Sequence, residues 1–274
     1  MQSLSAEENV AAIYSTLARA WGRQHWWPAK SRFEVIVGAY LTQNTSWRNV
    51  EIAMRELRAA RLLSVEGIRK IPLSRLQRLI RSSGYFRQKA RNLKRFVKFL
   101  DQQYGGSLNK MFARPTAELR EQLLSLNGVG PETADSILLY AGQHPVFVVD
   151  AYTRRLAVRH GIFTEKAGYE EVRSLFERAL TGAEPIQFPA VVDARGHMLD
   201  VEAGAQDRPN NAFGSAAHSP SRMSLAKRTP LAQSYNEMHG LIVSVGKQYC
   251  LKSRPQCEQC PLGHLLPASQ MPKH

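Results

Sequence analysis

Residues 116–142 read "TAELREQLLSLNGVGPETADSILLYAG", and they place the tightest local constraint on the chain. An amphipathic helical pattern runs to about Leu126, breaks at "NGVG" and resumes after Pro131. So short a turn calls for glycine dihedrals at Gly128 and Gly130, and Pro131 suits the first turn of the helix that follows. That second helix sets Ala134, Ile137, Leu138 and Ala141 on one face, while Leu126 and Val129 pack the two helices together. The backbone N–H groups after Gly128 and at the new helix start then point outward, an arrangement suited to phosphate. A bare Gly-x-Gly taken alone is more often an ordinary helix–helix turn.

Helical spacing dominates elsewhere. Ser5 and Glu8 form a capping box ahead of "NVAAIYSTLARAW". "NVEIAMRELRAARLL" and "LSRLQRLIRSSG" repeat apolar residues at the helical period, the latter stopping at Gly84. "YFRQKARNLKRFVKFLDQQYGG" is a basic amphipathic helix ending in two glycines. The best strand candidate is "PVFVVD", and it is short. The fold class expected is all-α. From about Gly182 to Thr229 the helical stripe gives way to Gly, Ala, Pro, Asn, Asp and Ser, as expected of a flexible insertion. Helical pattern returns at "LAQSYNEMHGLIVSVGKQYC".

A chain of 274 residues makes one or two domains with a sizeable core. Its formal charge of +14 and pI near 10.0 favour a polyanionic partner, because each cation that neutralises a phosphate releases a condensed counterion. A hydrophobic content of 43% argues against a disordered basic tail protein. Apolar runs such as "FEVIVGAYL" are too short to span a bilayer. The N-terminus lacks a signal-peptide layout, so a cytoplasmic protein without membrane partners is expected. Lys89, Arg91, Lys94 and Arg95 form a charge run, usually a solvated face, which on so basic a protein would track a duplex backbone. The three cysteines all fall within residues 250–260, a clustering that favours metal ligation over disulfides.

Beyond the glycine turn, the apolar run in "PVFVVDAYTRRLAVRHG" delivers Asp150 to the start of another helix. An N-cap needs only an aspartate at that place, and a cap also holds its carboxylate rigid. Together, "LNGVGPETADSILLYAG" and "VFVVDAYTRRL" resemble the helix-hairpin-helix plus Gly/Pro-Asp motif of the endonuclease III superfamily of DNA glycosylases. "FEVIVGAYLTQNTSW" and "SSGYFRQKARNLKRF" match further landmarks in the right order, and the resemblance covers about 30–182 and 230–262. "HWWPAK" with "TQNTSW" is more similar to 3-methyladenine DNA glycosylase III than to endonuclease III itself.

The resemblance implies roles for particular residues. Bifunctional members carry a lysine at the position of Glu132, and glutamate cannot form a Schiff base. Asp150 matches the aspartate retained for glycosidic cleavage, where it stabilises an oxocarbenium-like sugar and orients or activates water. Gly128, Val129, Gly130 and Thr133 are expected to grip DNA. Gln43 matches the side chain that fills the gap left by a flipped nucleotide, and Asn44 the support of the opposite strand. On its own, Gln43 reads as a solvated residue or a local cap. Trp26, Trp27 and Trp47 are candidates to stack on a flipped base; Trp26 and Trp27, beside Pro28, are equally suited to anchoring the N-terminal helix. Cys250, Cys257 and Cys260 follow the spacing C-x6-C-x2-C of the [4Fe–4S] members, whose fourth cysteine is replaced here by Leu266. A labile or three-cysteine cluster, another metal such as zinc with His264 as substitute ligand, and a decayed site are all open, the preserved spacing favouring a cluster. An isolated histidine in such a loop is more often simply solvated.

The expected architecture is a two-domain helix-hairpin-helix glycosylase fold with a central DNA-binding cleft. Residues 34–145 would form a six-helix barrel carrying the hairpin. Residues 1–33 and 146–274 would form the second domain, with the insertion at 182–229 and a Cys-rich loop at 250–266. The expected activity is that of a monomeric, monofunctional DNA glycosylase acting on damaged bases in double-stranded DNA. Alkylated purines are favoured because a cationic base leaves without a general acid. Oxidised, deaminated or mispaired bases are the alternative within enzymes, and would draw on a further acid such as Glu34 or Glu132. A non-catalytic binder of damaged DNA and a basic RNA-binding helical protein are the alternatives outside them.

Overall fold

The computed structural model describes residues 4–181 and 220–267, which contain no β-strand. In chain order the helices begin with α1 (Ala6–Trp21), α2 (Arg32–Thr42), α3 (Trp47–Ala59) and α4 (Val65–Lys70). They continue with α5 (Leu73–Leu79), α6 (Phe86–Tyr104), α7 (Leu108–Phe112), α8 (Thr116–Leu124) and α9 (Pro131–Ser136). A π-helical turn, Ile137–Gly142, extends α9, and α10 (Ala151–Arg159), α11 (Tyr169–Thr181) and α12 (Pro230–Gln248) complete the set. Local chemistry starts most of them. The capping box at Ser5 and Glu8 opens α1, and Ser31, Ser46, Ser64 and Ser107 each accept an amide of the first turn they precede.

The chain divides into two compact units, Ala29–Val146 and the combination of Met1–Pro28 with Phe147–His274. In the first, α2 is buried on nearly every face and packs on α3, α6 and the π-helical turn. In the second, α12 is the central helix, buried from Tyr235 to Gly246 and packed by α1, α10 and α11. A helix apolar all round must be enclosed. Phe147 fills the space beside α12, stacked on Phe176 at 4.8 Å and edge-on to Tyr235 at 5.8 Å.

The strand candidate "PVFVVD" does not form a strand, in keeping with the all-α fold. Val146 to Val149 are buried yet have no ladder partner: Val146 N–H donates to the His144 carbonyl at 2.9 Å, and side chains take the donors of Phe147 and Val149. Phe147 N–H donates to the Glu177 carboxylate at 2.9 Å and Val149 N–H to the Tyr169 hydroxyl at 3.3 Å. The expected insertion lies outside the described residues except at 220–229, where Ser221 Oγ donates to the Trp27 carbonyl at 3.2 Å.

Candidate functional site

The glycine turn is held from beneath. Gly128 has φ +82°, and a Cβ there would lie 2.0 Å from Asn92 Nδ2, so only glycine fits. Gly130 differs from expectation: its φ of −93° with ψ 176° is open to any residue, and a Cβ would meet nothing within 4 Å. Its freedom is that of a surface open to close approach. Val129 is buried between the helices, and Arg120 forms a two-pronged pair with the fully buried Asp135 at 2.7 and 3.1 Å, pinning α8 to α9. Glu132 stands exposed in the first turn of α9.

Three residues singled out in sequence meet here. Gln43, the C-cap of α2, donates through Nε2 to the Gly128 carbonyl at 3.0 Å and to Thr133 Oγ1 at 2.8 Å. Asn44 follows it, exposed and left-handed at φ 51°. The expectation for Lys89 is corrected. Its ammonium points inward, donating to the carbonyls of Leu41 at 2.8 Å and Ser83 at 2.6 Å, with 2% of the residue exposed. Burial lowers its pKa to about 8. It fixes the end of α2, and so the base of Gln43, and offers no charge to a duplex. Tyr85 was missed: it is 70% exposed in a left-handed conformation at φ 44°, in a surface hollow shared with Phe86, Arg87 and Arg91. The aromatic following Gly84 at the head of the basic helix was its only signal.

In the other unit Asp150 caps α10. Its Oδ1 accepts from Thr153 N at 2.8 Å and from Thr153 Oγ1 at 3.1 Å, while Oδ2 lies 3.6 Å from His239 Nε2. The carboxylate side chain retains 14% exposure, and the histidine beside it is enclosed. Burial lowers the His239 pKa, against an upward pull from the Asp150 charge. Nothing in "MHGLIV" marked this histidine. Trp26 and Trp27 are each 6% exposed and tilted together at 5.4 Å, as anchors of their segment on α12 would be. A Cβ on Gly240 would come within 3.0 Å of Trp26 Cβ, and the Lys247 ammonium sits 5.4 Å from the centre of the Trp26 ring. Trp47 belongs to the unit 29–146, half-buried, its Nε1 donating to Glu51 at 2.9 Å.

The profile of the HhH-GPD superfamily of base excision DNA repair proteins matches residues 37–181. A relative from Methanocaldococcus jannaschii, provisionally named a DNA repair glycosylase, is 38% identical over 93% of this chain and 94% of its own. The chain belongs to the HhH-GPD superfamily. As an HhH-GPD protein it is a DNA glycosylase of base excision repair, and DNA is its partner. The H. pylori 3-methyladenine DNA glycosylase bound to 1,N6-ethenoadenine is similar in structure, with a TM-score of 0.63 at 28% identity. That match covers 89% of this chain and 98% of the other, and it bears out the resemblance to that branch. A trapped endonuclease III–DNA covalent intermediate shares the fold, with a TM-score of 0.67 at 19% identity over 97% of this chain and 96% of the other. Endonuclease III homolog 1 of Arabidopsis thaliana is 23% identical over 88% of this chain, which spans about half of that relative's length.

The cysteine loop of this HhH-GPD chain does not assemble a four-thiolate site. Cys250, Cys257 and Cys260 line one cavity with Leu266, Leu262, His160 and Arg159, and Leu266, at the sequence position of the fourth cysteine, contributes no thiolate to it. Arg159 Nη1 donates to Cys250 Sγ at 3.0 Å. Burial pushes the Cys257 thiol up and the Cys260 thiol to about 11. The expectation for His264 is corrected: it is exposed and does not line the cavity. Among the described residues no group of three or more His, Cys, Asp or Glu is placed to hold a metal ion. Nor is any described helix long and apolar enough to cross a membrane.

Proposed function

We propose that this glycosylase is monofunctional, cutting the N-glycosidic bond of a flipped base and leaving an intact abasic strand. The observation that carries this reading is Glu132, exposed in the first turn of α9 where strand-cleaving members hold a lysine. Base release itself falls to Asp150, capped onto α10 with Oδ1 held by Thr153 and its side chain still partly exposed. A carboxylate so fixed pays no reorganisation as positive charge develops on the sugar, and it can take a proton from the attacking water. Glu132 stands where a strand-cleaving amine would be needed, and its carboxylate forms no Schiff base. Gly128, Val129, Gly130 and Thr133 present the turn to phosphate, Gln43 and Asn44 stand beside it, and Tyr85 offers an exposed ring to stack on an unpaired base. The protein acts as a monomer on damaged double-stranded DNA.

An alkylated purine is the favoured base. It carries positive charge and leaves without a general acid, which suits a site with one committed carboxylate. The likeness to a 3-methyladenine glycosylase supports the same choice. A second reading, an uncharged base such as an oxidised or deaminated pyrimidine or a mispaired adenine, is favoured by Lys247, whose cation already occupies a face of Trp26. That reading needs an acid, and Glu34 does not supply it: its oxygens accept from Lys30 N at 2.7 Å and from Arg58 at 3.3 Å.

Duplexes carrying methylated purines, uracil, oxidised pyrimidine or A·8-oxoguanine separate these readings. Strand breaks are expected only after alkali, mainly at alkylated purine, and Asp150→Asn is expected to abolish release while duplex affinity persists. Breaks without alkali would refute the monofunctional assignment, preference for an uncharged base would select the second reading, and release from no duplex would leave a DNA-binding protein.

A further inference from the structure

Building on the proposed role of Asp150, we infer that His239 is a positioning residue for that carboxylate, restraining Oδ2 while Thr153 holds Oδ1. The two side chains come from helices packed on each other, α10 and α12. Their separation is fixed by close approach: a Cβ on Gly246 would fall 2.3 Å from Tyr152 Cδ1, so α12 meets α10 at a glycine. At that spacing His239 Nε2 stands 3.6 Å from Asp150 Oδ2. The ring is confined by Phe147, edge-on at 6.4 Å and 73°.

Enclosure keeps the imidazole neutral by lowering its pKa. A neutral imidazole has one N–H and one lone pair, so the tautomer decides the contact. A lone pair on Nε2 would face the carboxylate lone pairs across 3.6 Å, whereas a proton there faces them favourably. The contact with Oδ2 therefore favours the Nε2–H tautomer. At 3.6 Å this N–H stands just beyond hydrogen-bond distance of Oδ2, so it borders the second side of the carboxylate and limits rotation about its last bond without a bond formed at rest. Other charged groups on the surrounding elements have their own partners. Glu177 of α11 is engaged by Phe147 N–H and Arg173, Glu237 of α12 by Gln24 N–H and Gln233, and Arg155 stacks on Tyr152. The Tyr152 phenol is raised by burial and by the Asp150 charge, and so stays protonated.

Full-length protein with 15N-labelled histidine tests the contact directly. Near neutral pH the His239 signals are expected to be those of a neutral ring protonated on Nε2, and Asp150→Asn is expected to shift them. In single-turnover base release, His239→Leu is expected to lose several-fold, up to about tenfold where Nε2–H closes onto Oδ2 in the reacting complex. Duplex affinity should not change. His239→Gln, which returns an N–H near the same place, should recover most of the rate. A bare Nε2, signals indifferent to Asp150→Asn, or wild-type release from His239→Leu would each overturn the inference. Should the leucine variant fail to fold, the glutamine variant and the spectra decide. Absence of Asp150-dependent release in the parent protein would count against the role of Asp150 instead, and the spectra would still judge the contact.

Discussion

The Lys89 ammonium reaches the carbonyls of Leu41 and Ser83, and burial brings its pKa to about 8. In the unfolded chain a lysine titrates near about 10.4. Between those values the unfolded state keeps a proton that the folded state has released, so stability owed to this residue rises with pH across the window and is lost as pH falls through it. Chemical unfolding of the wild type and of Lys89→Met measures this. The wild-type advantage is expected to grow by at most about 1.4 kcal/mol per pH unit between about pH 8 and about pH 10.4. A difference flat with pH would show that the ammonium is solvated. In sequence Lys89 was one of four cations in a run. Residues Asn92, Leu93, Phe96 and Val97 of the same helix are buried, and Lys89 lies on their side of it, four positions before Leu93. A helical period tells which residues share a face, yet gave no warning that a lysine stem would cross that face to serve two carbonyls.

At the scale of elements, the hairpin depends on its two glycines in different ways. Gly128→Ala is expected to cost more than about 2 kcal/mol, since it adds left-handed strain to overlap with an enclosed Asn92. Gly130→Ala meets open space, and its melting should match the parent to within about 0.5 kcal/mol. If the turn approaches phosphate closely, the same methyl should weaken duplex binding about tenfold, the equivalent of one lost hydrogen bond. Unchanged affinity in Gly130→Ala would remove the turn from the interface. The longer helices, the Ser5 cap and the left-handed Gly128 were legible because they follow from interactions within a few residues. "PVFVVD" was not, because an apolar run reads alike as a strand or a buried connector until the partners of its N–H groups are known.

For the whole molecule, a charge of +14 sets the response to salt. If about four phosphates are contacted, duplex affinity should fall about a hundredfold between about 50 mM and about 200 mM monovalent salt. Single-turnover release at saturating protein should barely move, because saturation removes the binding step on which salt acts. A salt-insensitive affinity would refute a phosphate-led interface. Net charge does not say which cations serve it. Arg155 donates to the carbonyls of Cys250 and Gly246, Arg159 to Cys250 Sγ and the Leu251 carbonyl, and Arg120 to Asp135, all turned inward. Composition, helical period and turn chemistry sufficed for an all-helical protein with a glycine hairpin and a capping aspartate, while the family resemblance supplied the glutamate in place of an amine. These features are properties of neighbouring residues, and local sterics settle them. Packing alone decided that His239 faces Asp150, that Lys89 is interior, that Lys247 lies on Trp26, and that Leu266 closes the thiol cavity. Those contacts join distant positions through enclosed helices, and their free energy depends on which faces meet, a quantity absent from any short stretch of chain.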